Sequence, residues 1–181
     1  DLVAFGRDLT EAVRINDFIF QARGTANAQM VVTPEGNVVI DTGLSNDERL
    51  ARHLRVVDDR PAAYLILTHA HADHYGAADS FIDERTEIIA HAEFPHNQYY
   101  LRELTPYLMP RNAIFYPEDV PTLPGFAHKA IKHLMPTLEP TLLVRDRHAF
   151  ELGGIRFEVL RMPGAEGSDG LCVWLPHHAI L

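Results

Sequence analysis

The 181 residues predict an α/β (α+β) fold, and three observations carry that prediction. Residues 17–43 read as an antiparallel meander, an alternation of strand, helix and strand follows it, and a cluster of histidines stands directly after the second strand of that alternation. The meander consists of Phe18-Ile19-Phe20, Gln29-Met30-Val31-Val32 and Val38-Val39-Ile40, with Thr33-Pro34-Glu35-Gly36-Asn37 placing proline and glycine in turn positions. Ser45 then caps a helical run in which Leu50, Leu54 and Val57 recur at helical spacing, and Pro61 ends it. Tyr64-Leu65-Ile66-Leu67 has the continuous apolar character of a strand buried on both faces. Strand, helix and strand in that order favour a parallel crossover.

A helix over about 73–81, a strand over 87–90 and an aromatic helix over about 92–108 continue the alternation. Seven of the twelve prolines then fall between 106 and 140, too many for a regular element, so this stretch is predicted to be an irregular excursion with one short helix near 126–134. Strands return over 142–144 and 149–152, Gly153-Gly154 turns a hairpin into 155–160, and a last strand covers 171–175. Internal repeats and low-complexity tracts are absent from the sequence.

Composition narrows the function. Hydrophobic residues make up 46% and charged residues 23%, the balance of a folded domain, and the length suits one domain of about 100–200 residues. A net charge of −9 repels phosphate backbones and anionic bilayers, so neither nucleic acid nor a membrane is an expected partner. No run approaches the roughly 18 apolar residues of a membrane span, and no charged-then-apolar leader precedes the first strand. The chain opens on Asp1 rather than Met, which predicts a natural start elsewhere. Cys172 is the single cysteine, so an internal disulfide and a thiolate metal cluster are both excluded. Any metal here must be held by histidine and carboxylate.

The run Thr68-His69-Ala70-His71-Ala72-Asp73-His74 offers four such groups in six residues, at the C-terminal end of a strand where α/β sheets place their sites. Ala70 and Ala72 let the backbone turn tightly, so that His69 and His71 face one point while Asp73 and His74 face another nearby. Neutral imidazoles with carboxylate oxygens suit zinc, and a coordination position left for water makes such a site catalytic. Burying these groups together without partners would be costly. Three of the eleven histidines lie in this loop. His53, His96, His128, His133, His148, His177 and His178 read as solvated or hydrogen-bonded side chains, and His91, although it follows a strand, reads as a non-ligand.

His69-Ala70-His71-Ala72-Asp73-His74 resembles the H-x-H-x-D-H signature of the metallo-β-lactamase superfamily, and Val39-Ile40-Asp41-Thr42-Gly43 resembles the strand end that precedes it. The resemblance covers nearly the whole chain and implies an αββα sandwich with a one- or two-metal site at the sheet edge. The related diiron flavoproteins carry Glu where this chain has His71, which favours zinc. Most members continue with Pro-Gly-His-Thr, whereas this chain has Pro163-Gly164-Ala165-Glu166. That departure is similar to the Pro-Gly-Thr-Glu of the alkylsulfatase branch, as is the following Leu171-Cys172-Val173-Trp174-Leu175-Pro176. By that resemblance His69 and His71 bind one zinc, Asp73 and His74 a second, and Glu166 one of the two; a solvated loop glutamate is the other reading of Glu166.

The resemblance further implies a zinc-dependent hydrolase using a metal-bound hydroxide, with Asp73 orienting it, on a small-molecule substrate such as an alkyl sulfate ester. A lactonase, thioesterase or β-lactamase-like hydrolase is the alternative, and so is a catalytically silent metal-binding piece. The branch's bridging carboxylate and last histidine have no counterpart before Leu181, so residues 1–181 are expected to form the N-terminal portion of a metallo-β-lactamase-like domain, with two zinc ions in the complete site and one or none on the residues here. The branch is often exported and dimeric, which leaves a homodimer and either compartment open. Asp41 resembles the aspartate that orients the histidine loop by hydrogen bonds, with a simple turn residue as the competing reading. Tyr99, Tyr100, Tyr107, Phe115 and Tyr116 are candidates for a pocket around an apolar tail, or for core. Arg111, Arg145, Arg147 and Arg161 are candidates for an anionic head group, or solvated. Ser168, Asp169 and Cys172 read as structural.

Overall fold

The computed structural model describes residues 6, 8–45, 48–115, 136–164 and 166–181. The short helix expected near 126–134, together with Tyr116, His128 and His133, lies outside them, as does the side chain of Phe115.

The meander is present as β2 (Ile19–Ala22), β3 (Ala28–Thr33) and β4 (Gly36–Ile40), with a two-residue β1 (Val13–Arg14) added at its edge. Helix α1 (Glu48–Val57) leads to β5 (Ala62–Ile66), and the short α2 (Ala72–Tyr75) with a 3-10 turn at Ala78–Ser80 leads to β6 (Glu87–His91). Helix α3 (Phe94–Phe115) precedes β7 (Leu142–Val144). These strands form one seven-stranded sheet in chain order, antiparallel from β1 to β4 and parallel from β4 to β7. The strands β8 (Arg147–Leu152), β9 (Ile155–Arg161) and β10 (Leu171–Trp174) form a second, antiparallel sheet, with Gly153 and Gly154 both at positive φ in the β8–β9 turn.

The large sheet is buried on both faces, and its side chains divide between two cores with the period of a strand. Met30, Val39, Leu65 and Ile88 face Leu50 and Leu54 of α1 and Phe94 of α3, while their neighbours Val31, Val38, Ile66 and Ile89 face Phe157, Val159 and Val173 of the smaller sheet. The described residues thus stack helices, sheet and sheet. Ile40 lies level with Ile66, and Ile66 with Ile89, so the C-terminal ends of β4, β5 and β6 open onto one edge.

Two expectations need correction. The helix predicted over 73–81 is broken after Tyr75, because its backbone groups are engaged elsewhere: Thr42 N–H donates to His74 O at 2.7 Å, and Ala77 N–H donates to Gly43 O at 3.1 Å. The irregular stretch predicted from 106 is contradicted at its start, since α3 runs through Pro106 and Pro110 to Phe115, and residues 116–135 of that prediction lie outside the described residues. A proline inside a helix removes one hydrogen bond at a cost of about 3 kcal/mol. Here the helix is anchored ahead of the prolines, by buried Phe94 and by Gln98, whose side chain exchanges hydrogen bonds with Leu138 N and O.

Asp58 and Arg60 tie the α1–β5 connection to the β3–β4 turn. The Asp58 carboxylate accepts from Arg60 Nε at 3.0 Å and Nη2 at 2.6 Å, and Nη2 also donates to Thr33 O at 3.0 Å. The Arg60 hydrogen bonds hold the Asp58 carboxyl at about 2, below the ordinary 3.8. A depressed carboxyl stabilises the fold fully above its unfolded value and loses that contribution as pH falls through its folded value. The stability difference between wild type and Asp58→Asn in chemical denaturation is therefore expected to be largest near neutrality and to vanish as the pH approaches about 2. Phe157, fully buried and stacked on Phe150 at 4.9 Å, joins the two sheets. Phe157→Ala is expected to cost about 3–5 kcal/mol in the same measurement.

Candidate metal centre

Asp41 follows β4 directly with φ of 55°, a left-handed conformation that a β-branched or bulky residue avoids and that Asp and Asn tolerate. That conformation accompanies a set of hydrogen bonds into the histidine loop. Its buried carboxylate, 3% exposed, accepts Thr68 N–H at Oδ1 (2.9 Å), and at Oδ2 it accepts Thr68 Oγ1–H (2.7 Å) and the Nδ1–H of His74 (2.7 Å). The first bond fixes the backbone where β5 gives way to the loop, and the last fixes the tautomer of His74, leaving Nε2 with a free lone pair. Burial pushes the His74 imidazole down, but the hydrogen bond and charge of Asp41 outweigh it and leave its pKa raised.

The remaining predicted residues fall into two adjacent groups. His69 Nε2 stands 3.0 Å from His71 Nδ1, and His71 Nδ1 stands 3.8 Å from Glu166 Oε2. One ligand atom from each of these three residues lies within 4.8 Å of the others. Asp73 Oδ2 is 3.8 Å from His74 Nε2, and the His74 ring lies 4.0 Å from that of His69, centroid to centroid. His69 is 6% exposed; burial, then the neighbouring His74 and His71, hold its pKa below the ordinary value. It therefore stays neutral, with a lone pair to offer. Two imidazole nitrogens and a carboxylate oxygen meeting at one point match the donor chemistry of zinc.

A cavity of about 220 Å³ opens on this group, lined by His69 and His71, by Asn97, Tyr100 and Leu101 of α3, and by the loop from Glu166 to Asp169. Of the described aromatic candidates only Tyr100 lines it, and Tyr99 and Tyr107 are exposed. None of Arg111, Arg145, Arg147 and Arg161 lines it, and Arg147 pairs with Glu158 at 2.7 Å. His91 is buried outside the group: Glu93 N–H donates to its Nδ1 at 3.1 Å, and its Nε2–H donates to Arg145 O at 3.0 Å. Thr68 and Asn97 received no role from the sequence. Thr68 carries a local signal, since it stands next to the first histidine, whereas Asn97 reaches the site only through the packing of α3.

A two-sheet fold with a histidine and carboxylate cluster at the strand ends of its parallel half defines a class of metal-site proteins. Over residues 22–181 the chain matches the metallo-beta-lactamase superfamily, and it belongs to that superfamily. It is 26% identical over 188 residues to an alkyl/aryl-sulfatase of Saccharomyces cerevisiae, covering 93% of this chain and 29% of that protein. It is 25% identical over 167 residues to a linear primary-alkylsulfatase of a Pseudomonas species, covering 84% of this chain and 31% of that protein. The chain thus spans about a third of the length of these relatives. Among solved structures it is similar to a stereoselective inverting sec-alkylsulfatase from Pseudomonas sp., with a TM-score of 0.73 and 20% identity over 93% of this chain and 30% of that one. It is also similar to a metallo-beta-lactamase of Cronobacter sakazakii, with a TM-score of 0.67 and 18% identity over 98% of this chain and 62% of that one. These likenesses place the fold in the αββα sandwich class.

Asp41→Asn keeps a residue that tolerates the left-handed backbone while replacing one acceptor oxygen with an N–H donor. It is expected to weaken zinc binding about 10–100-fold in a chelator competition titration. Unchanged affinity would remove Asp41 from the support of this site.

Proposed function

We propose that the chain carries the metal-binding part of a zinc-dependent hydrolase acting on alkyl sulfate esters. The observation that carries this reading is the meeting of His69, His71 and Glu166 at the mouth of a cavity. The sulfatase names of the curated relatives supply the substrate class.

His69, His71 and Glu166 would hold one zinc, and Asp73 and His74 would contribute to a second. Zinc bound there would supply Lewis-acid chemistry, lowering the pKa of a water towards neutrality and polarising the scissile group. Asp41 and Thr68 fix the orientation and tautomer of the rings before substrate arrives, so less reorganisation is needed during the reaction. Asp73, whose carboxylate is part-exposed beside His74, orients the attacking water by accepting its hydrogen bond. Tyr100 and Leu101 give the cavity an apolar wall for the alkyl chain. The same proposal takes residues 1–181 as one metallo-β-lactamase-like domain portion.

Zinc analysis combined with assays of a long-chain alkyl sulfate, a lactone and a thioester tests the reading. Turnover of the sulfate, lost on zinc removal and restored on its return, is the expected result. A preference for lactone or thioester would move the site to another ester chemistry. His71→Ala should abolish zinc uptake and turnover together, and full activity in that variant would sink the assignment.

A further inference from the structure

Glu166 is the exposed member of its group, on a loop between β9 and β10. The other ligand candidates of the group sit on backbone fixed by Asp41, whereas Glu166 has no element of its own to hold it. Its loop is closed at the base by Met162 N–H to Gly170 O at 2.8 Å, and it is joined to the histidine loop by Leu171 N–H to Thr68 O at 2.8 Å. The far side of the loop is gripped by the first turn of α3. Asn97 Nδ2–H donates to Asp169 Oδ1 at 2.7 Å and to Ser168 Oγ at 3.3 Å. One helical turn earlier, the Ser168 hydroxyl beside Glu93 holds that carboxyl below its ordinary range. Glu93 and Asn97 are four residues apart and so share one side of the helix start.

Asp169 is 2% exposed, and its Oδ2 has no protein hydrogen-bond partner. A carboxylate buried with one oxygen unpaired is costly, and its surroundings must over-determine its position for it to persist. Gly167 is fitted to the same arrangement, because a Cβ on it would lie 2.7 Å from Asp169 Oδ1, the atom that Asn97 holds. Asn97 and Asp169 also both line the cavity with Glu166.

We propose that Asn97 and Asp169 are positioning residues that form a latch from α3 to the Glu166 loop and set where the Glu166 carboxylate stands relative to His69 and His71. The inference rests on the reading of Glu166 as a ligand. On this proposal the latch acts on zinc binding through the placement of Glu166. Its loss therefore matters only while Glu166 is able to bind.

The test is zinc competition titration of the 181-residue chain as wild type, Asn97→Ala, Glu166→Gln and the double variant, with melting of each metal-free protein as the check on folding. Asn97→Ala is expected to weaken zinc about tenfold or more, as removal of a residue supporting a ligand does. In the Glu166→Gln background it is expected to change nothing further. Wild-type affinity in Asn97→Ala overturns the latch, and so does an equal loss in both backgrounds, which is the mark of a general structural defect. Wild-type affinity in Glu166→Gln overturns the ligand assignment beneath it and identifies that as the failed step. If Asn97→Ala does not fold, Gly167→Ala crowds Asp169 Oδ1 while leaving Asn97 in place and is read against the same outcomes.

Discussion

The site depends on one buried carboxylate. Asp41 accepts three hydrogen bonds from two residues that lie 27 and 33 positions further along the chain, and those bonds convert two separate strand ends into one rigid edge. Without them the backbone leaving β5 would rest on main-chain bonds such as Leu171 N–H to Thr68 O, and the His74 ring would lose the acceptor that orients it. Charge-assisted hydrogen bonds are the strong ones, and burial strengthens them further while making any unpaired alternative expensive. The left-handed backbone at Asp41 is therefore part of the site: it is a conformation retained because three hydrogen bonds from two residues over-determine it.

The two-faced sheet explains why that edge holds still. β4, β5 and β6 are clamped between helices and the smaller sheet, with alternate side chains committed to alternate cores, so none can slip by one residue without exchanging both cores. The parallel register brings their C-terminal ends level, and the loops that leave them are free of the ladder and available for chemistry. Rigidity comes from the strands, and the candidate ligands come from the loops.

What could be read from the sequence follows the same division. The alternating strands, the double-sided apolar run at Tyr64–Leu67 and the histidine cluster all carry local patterns, and the fold class with its strand pairing followed from them. The break in the helix after Tyr75 could not be read, because it is made by Thr42 and Gly43, which are distant in sequence. The extension of α3 through Pro106 and Pro110 was hidden for the opposite reason: a strong local signal against helix was outweighed by anchoring at Phe94 and Gln98. Asn97 and Asp169 are each unremarkable in sequence. Their partnership spans 72 residues and exists only once α3 is packed beside the β9–β10 loop.

The charge around the cavity bears on the proposed substrate. Among the described residues the lining contains Glu166 and Asp169 and no arginine or lysine, on a chain whose net charge is −9. An anionic ester entering such a cavity meets like charge in a partly desolvated setting, where the repulsion is stronger than in water. His69 does not supply the missing positive charge, since burial and the neighbouring His74 and His71 hold its pKa down. On the proposed function, zinc held by Glu166 with the histidines would offset the negative charge of the cavity for an incoming anionic head group, and Leu101 and Tyr100 of α3 would face the tail. If the proposed function holds, these carboxylates and a sulfate head group would be compatible only through the metal, and zinc dependence of binding and of turnover would then share one electrostatic origin.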